Sequence, residues 1–340
     1  LAETTDNLQD FTWIYMKKCL AAAALFACVL ASATAAEPAP LKRSYAAKFD
    51  RAVNLIDEYH GDGEALVAVR KELEEVLRVY PRYAPAYREM ARYFMLEGHL
   101  HSLRFKPGAL EAADAALQKA ISIRPHYAEA FVLYGHLYKL MGRHQDALAA
   151  LAKAEKLGTT DPWLENNWAD LLNDEEKYED AAVRYRRVLA SGTRNTKAMS
   201  AALVGMTTYY LNIGNLDEAD AMYRKRIAFR PHMAWTHGDY AQFLLCWKAD
   251  FEGAIIHGRQ ALDIMDYGAG RYWLAAALYR KWAQAPEDIE TGGSAFAQAQ
   301  DLYPDLTSIV RNAESCPTLA VVAAALERAR PAADTTSMPE

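Results

Sequence analysis

The chain has no surplus of positive charge: 38 lysines and arginines stand against 44 aspartates and glutamates in 340 residues, a formal net charge of -6 with a pI near 5.9. The two signs are mixed along the sequence, so no concentrated basic surface is offered to phosphates, and nucleic acid is excluded as an expected partner. Motifs that carry chemistry are also missing. There is no G-x-S-x-G elbow, Walker loop, dinucleotide fingerprint or H-E-x-x-H, so neither a metal nor a cofactor is expected. The acidic run Asp174-Glu175-Glu176 falls at an inter-helix turn and reads as solvated charge. Long apolar runs are lacking as well: the segment Cys19 to Leu30 is too short and too rich in alanine to span a membrane. Cysteine is scarce, with four in the whole chain.

What is present begins at Met16. Lys17 and Lys18 form a basic start, the apolar run follows, and Ala33-Thr34-Ala35 supplies an A-x-A site, which together read as a secretory signal over 16–36. Residues 1–15 precede that basic start and are expected to be a spurious extension, with 37–43 a flexible linker. Export to the periplasm or beyond is the expectation. An uncleaved signal or a lipidated Cys28 after Leu25-Phe26-Ala27 are the alternatives, and no span is expected in the mature protein. Cleavage leaves Cys246 and Cys316 in an oxidising compartment. They either pair, or Cys246, in a strongly apolar stretch, is a buried small hydrophobe.

Self-comparison shows an internal repeat. Ala113, Leu117 and Ala120 recur as Ala147, Leu151 and Ala154 and again as Ala181, Tyr185 and Val188. Phe131, Tyr134-Gly135 and Tyr138 precede the middle copy, and three units close on Tyr80-Pro81, Arg124-Pro125 and Arg230-Pro231. In these residues the chain resembles the tetratricopeptide repeat, with its W-x2-L-G-x2-Y first helix and A-x3-F second helix. The resemblance implies an all-α solenoid, a right-handed superhelix, over 44–330. It holds about seven helix pairs near 44–81, 84–125, 128–158, 161–192, 198–231, 234–266 and 269–304, plus a capping helix near 317–330. Small Ala, Gly and Val let paired helices approach, and no unit buries its apolar face alone. Asp161 before Pro162, and Asn215 before Glu218, read as helix starts. The tail 331–340 has no apolar period and is expected to be disordered. The chain also resembles exported repeat proteins of proteobacteria.

In this family the first helix of each pair lines the concave face. Position for position, the resemblance places Arg88, Arg92, His136, Lys139, Trp163, Asn166, Asn167, Asp170, Asn173, Thr208, Asn212, Asp239 and Arg280 there. Asparagines on that face suit an extended peptide backbone, and Arg88, Arg92 and Lys139 suit its carboxylates. Four short polar residues, Asn166, Asn167, Asp170 and Asn173, lie within one helix whose propensity they lower. The subgroup that grips acidic chaperone tails is rejected, since Leu133 stands where an asparagine is wanted. An insertion near 98–108, His99-Leu100-His101-Ser102-Leu103-Arg104-Phe105-Lys106, is expected to be a structural loop. His60, His126, His144, His232, His237 and His257 read as ordinary surface or interface residues. The leading expectation is a scaffold or adaptor for a protein or peptide partner. A glycan or small-molecule binder using Trp163, Trp273, Tyr209 and Tyr210 is second and an enzyme third, with oligomeric state left open.

Overall fold

The computed structural model describes residues 40–59, 61–101, 104–284, 292–311 and 315–329. The extension, the signal segment, the tail and His60 lie outside them. The described residues fall into two compact units, divided between Leu164 and Glu165.

The first unit pairs α1 (Arg43–Asp57) with α2 (Gly63–Val79), α3 (Ala84–Gly98) with α4 (Ala109–Ile123), and α5 (Ala128–Leu140) with α6 (His144–Leu157). Its core is one apolar cluster running from Ala52 and Ile56 through Leu73, Leu117 and Leu137 to Ala150. Helix α7 (Trp163–Asp174) begins at the division between the units. The second unit continues with α8 (Tyr178–Ala190), α9 (Thr196–Asn212), α10 (Leu216–Phe229), α11 (Ala234–Phe243), α12 (Phe251–Ile264), α13 (Gly268–Trp282) and α14 (Gly292–Leu302). Short helix α15 (Leu306–Arg311), a 3₁₀ turn (Pro317–Leu319) and α16 (Ala320–Ala329) close it. The repeat pairs therefore fall where the sequence period places them.

Local chemistry explains the boundaries. Asn195 and Asn215 accept from the backbone N–H groups of Ala198 (2.9 Å) and Glu218 (3.2 Å), and Asp161 from that of Trp163 (3.0 Å), which satisfies helix-start donors. Pro81, Pro125, Pro231 and Pro304 each follow a helix end, where a missing N–H costs nothing. Two glycines are dictated by packing. A Cβ on Gly135 would sit 2.2 Å from Leu151, and one on Gly205 2.2 Å from the Tyr185 ring, so the helices close to a distance only glycine allows.

Two features break the repeat. The insertion is a hairpin rather than an irregular loop: β1 (His99–His101) pairs antiparallel with β2 (Arg104–Phe105), and His99 packs edge-on against Phe105 at 5.4 Å. After α11 the chain widens into a π turn, Leu244–Lys248, that ends at Ala249 with positive φ. Cys246 in that turn is bonded to Cys316, which settles the alternative left open by the sequence.

Candidate functional site

The first-helix residues separate into two chemically different sets, one in each unit. In the first unit, Glu89 is 2 % exposed and would be costly alone. Arg88 and Arg92 both pair with it; Arg92 also meets Asp57 at 2.5 Å and Arg88 meets Asp161 at 3.4 Å. Burial works against the charge on Arg88, but Glu89, with Tyr127 and Asp161, outweighs it and raises the guanidinium pKa. Burial pushes Asp161 up, opposed by Arg88. The carboxylates that Arg88 and Arg92 were expected to take from a partner are thus supplied by the chain itself. His136 and Lys139 are half-buried on α5.

In the second unit the stripe on α7 has a fixed hydrogen-bond polarity. Asn166, Asp170 and Asn173 lie at i, i+4 and i+7 on one face. Asn166 is 1 % exposed and donates its amide nitrogen to the Ala198 carbonyl at 3.0 Å, which leaves its oxygen without a partner among the described residues. Tyr185 Oη donates to Asp170 at 2.6 Å and therefore accepts from Asn173 Nδ2 at 3.0 Å. Burial first, and then Asp170, drive the Tyr185 phenol far above its usual range, so the proton stays on the phenol. The Asn173 oxygen is likewise buried without a partner among the described residues. Two buried amide oxygens thus lie beside the half-buried Asp170 carboxylate, in a helix that holds Glu165, Asp170 and Asp174 and no basic residue. Asn167 is buried and Trp163 half-buried.

The remaining expected residues are scattered. Thr208 is exposed and donates back to the Val204 carbonyl at 3.2 Å, and Asn212 is exposed at the end of α9. Asp239 pairs with buried Arg226 at 2.9 Å. Arg280 lies 4.1 Å over the Phe251 ring, its Nε and Nη1 buried and without a hydrogen-bond partner among the described residues, and burial lowers its pKa. The aromatics of the binder reading are packing groups in part. Tyr210 and Trp273 lie against the α11–α14 core, Trp273 meets Tyr272 at 4.7 Å, and Arg186 covers Tyr209 at 5.5 Å.

Sequence reasoning named the two members of one pair without bringing them together. His237, 5 % exposed, places Nδ1 3.1 Å from Nδ1 of His257 and Nε2 3.0 Å from the Pro231 carbonyl. Both therefore lie in the interface between α11 and α12, the second of the two environments expected for them. The signal was their positions in paired helices, His237 in a first helix and His257 in its partner. Among the described residues no group of three His, Cys, Asp or Glu is placed to hold a metal, and no helix is long and apolar enough to cross a membrane.

These helix pairs define a helical-repeat protein of the α-solenoid class. Residues 128–157 match the tetratricopeptide repeat family model. In structure the chain is similar to PilF of Pseudomonas aeruginosa, at 17% identity over 68% of this chain and 97% of that one, TM-score 0.52. It is also similar to yeast Tom70 (15% identity, 74% and 50%, TM-score 0.52) and to the APC/C hetero-tetramer Cut9–Hcn1 (18%, 69% and 46%, TM-score 0.52). The chain spans about half the length of the last two. No curated protein matches the sequence. The chain thus carries a tetratricopeptide repeat at 128–157 and shares the α-solenoid fold of these structures.

Proposed function

We propose that the chain is an exported scaffold or adaptor that holds a peptide or partner subunit against the polar face of α7, within an envelope or export assembly. The carrying observation is the polar stripe of Asn166, Asp170 and Asn173, whose amide orientation is set by Ala198 and Tyr185 and whose Asp170 carboxylate is half-buried. A partner matched to it brings donors to the half-buried Asp170 carboxylate: backbone N–H groups of an extended segment, or lysine and arginine side chains. Export is supported by the signal-like segment from Met16 and by the Cys246–Cys316 bond, which an oxidising compartment maintains. A solved structure of the same fold, PilW, is described as a type IV pilus biogenesis factor, and an envelope assembly of that kind is a setting in which such a scaffold works. The test is affinity capture from envelope extracts with wild type and an Asp170→Ala/Asn173→Ala variant whose circular dichroism is unchanged. Capture of a defined set of proteins that the variant loses is expected. Equal capture by both forms contradicts this placement of the ligand face.

A further inference from the structure

The geometry of the His237–His257 pair is narrower than an interface contact requires. The two ring planes meet at 25°, with centroids 5.4 Å apart and Nδ1 atoms 3.1 Å apart. The difference between those distances is the radius of a ring on either side, so both nitrogens lie on the line joining the ring centres and meet head-on. Pro231 fixes the tautomer of His237. A carbonyl only accepts, so Nε2 at 3.0 Å carries the proton, and the neutral ring presents a bare Nδ1 lone pair to His257. A histidine whose far nitrogen is held by a backbone carbonyl is oriented as a metal ligand is. Without a cation, His257 Nδ1–H donates to that lone pair. The His257 ring is half-buried, which gives the pair a route to solvent, and Tyr240 lies 4.7 Å from it. Gln260 hydrogen-bonds the same ring from the next turn, and Asp250 and Arg224 act on it with opposite charge.

We propose that His237 and His257 form a two-coordinate site for a soft monovalent cation, Cu⁺ or its analogue Ag⁺, bound between the two Nδ1 atoms. Among the described residues no third His, Cys, Asp or Glu joins the pair, so ions that need three or more protein ligands, such as Zn²⁺ or Ca²⁺, are not served. A closed-shell monovalent cation is content with two nitrogens in a linear complex, and lone pairs that meet head-on point along its axis. Metal–imidazole bonds of about 2 Å set the nitrogens about 4 Å apart, so the pair opens by about 1 Å. His257 supplies that movement, being half-buried where His237 is enclosed and held by Pro231. Binding shifts the His257 proton from Nδ1 to Nε2 and releases none, since two neutral imidazoles with one proton each stand on both sides of the equilibrium. The Asp250 carboxylate favours the bound cation and Arg224 opposes it. The inference does not depend on what α7 binds.

The test uses the full chain with Cys19→Ser and Cys28→Ser, in which the remaining cysteines are the bonded Cys246 and Cys316. The probe is silver nitrate, added in chloride-free buffer at pH 7.5 to protein labelled with nitrogen-15 in its histidines. A single equivalent of Ag⁺ is expected to shift the Nδ1 resonances of His237 and His257 together, while Zn²⁺ at the same concentration leaves them in place. By isothermal titration His257→Gln, with unchanged circular dichroism, should lose that equivalent, its remaining sites binding Ag⁺ at least about ten-fold more weakly. Resonances of the pair that do not move with Ag⁺, resonances that move equally with Zn²⁺, or equal affinity in the folded variant each overturn the proposal. If His257→Gln does not fold, the resonances of the unsubstituted pair decide alone.

Discussion

Single residues in this protein are constrained mainly by how closely helices approach and by which way hydrogen bonds point. Gly205→Ala places a methyl 2.2 Å from the Tyr185 ring, and overpacking of this kind costs about 1–3 kcal/mol, so thermal denaturation should show a Tm lowered by several degrees with the helical signal retained. An unchanged Tm would mean that Tyr185 relaxes freely and that the Asp170–Tyr185–Asn173 chain is loose. The histidine pair makes a pH prediction. Burial, then His237, lowers the pKa of His257, with Gln260 and Asp250 acting to raise it and Arg224 to lower it further. The neutral form is thus favoured in the fold, so stability is fully present above the unfolded histidine pKa of about 6.5 and is lost as pH falls below it. Urea midpoints between pH 7.5 and 5 should fall, and His257→Gln should flatten that slope; a parallel slope in the variant would place the effect elsewhere. The glycines and alanines that let helices touch were legible because they recur at a fixed period. The polarity of Asn166 and Asn173 was not, since it depends on Ala198 and Tyr185, residues far along the chain that only folding brings within reach.

At the level of elements, the helix ends were readable because caps and prolines act locally, as at Asp161, Asn215 and Pro231. The two departures were less so. The insertion reads as a loop because its residues have no clean alternation, yet His99 and Phe105 meet across a two-stranded ladder. The π turn has no sequence signature of its own, and its role appears only with the disulfide that crosses 70 residues to the C-terminal segment. A bond closing a loop of that size removes chain entropy from the unfolded state, so Cys316→Ser should cost about 2–5 kcal/mol and lower the urea midpoint. A midpoint shared by the oxidised wild type and Cys316→Ser would show that α16 contributes little to the cooperative unit.

Across the whole molecule, each unit is stabilised by neighbouring helix pairs leaning on one another, and the proposed partner site uses a first-helix surface that packing leaves available. The sequence pattern locates those surfaces but assigns their chemistry imperfectly. The expected cationic grip of Arg88 and Arg92 is internally neutralised by Glu89, Asp57 and Asp161, whereas on α7 the Asp170 carboxylate is half-buried and takes its described hydrogen bond from the neutral Tyr185 phenol. The central claim is that a donor-bearing partner lies against α7, and site-specific photocrosslinking in living cells tests it most directly. A photoreactive residue replacing Asn173 should form a crosslinked adduct of discrete mass, while the same residue replacing Val183, exposed on the second helix of the pair, should form none. Adducts from Val183 alone, or of identical mass and yield from both positions, would contradict the account.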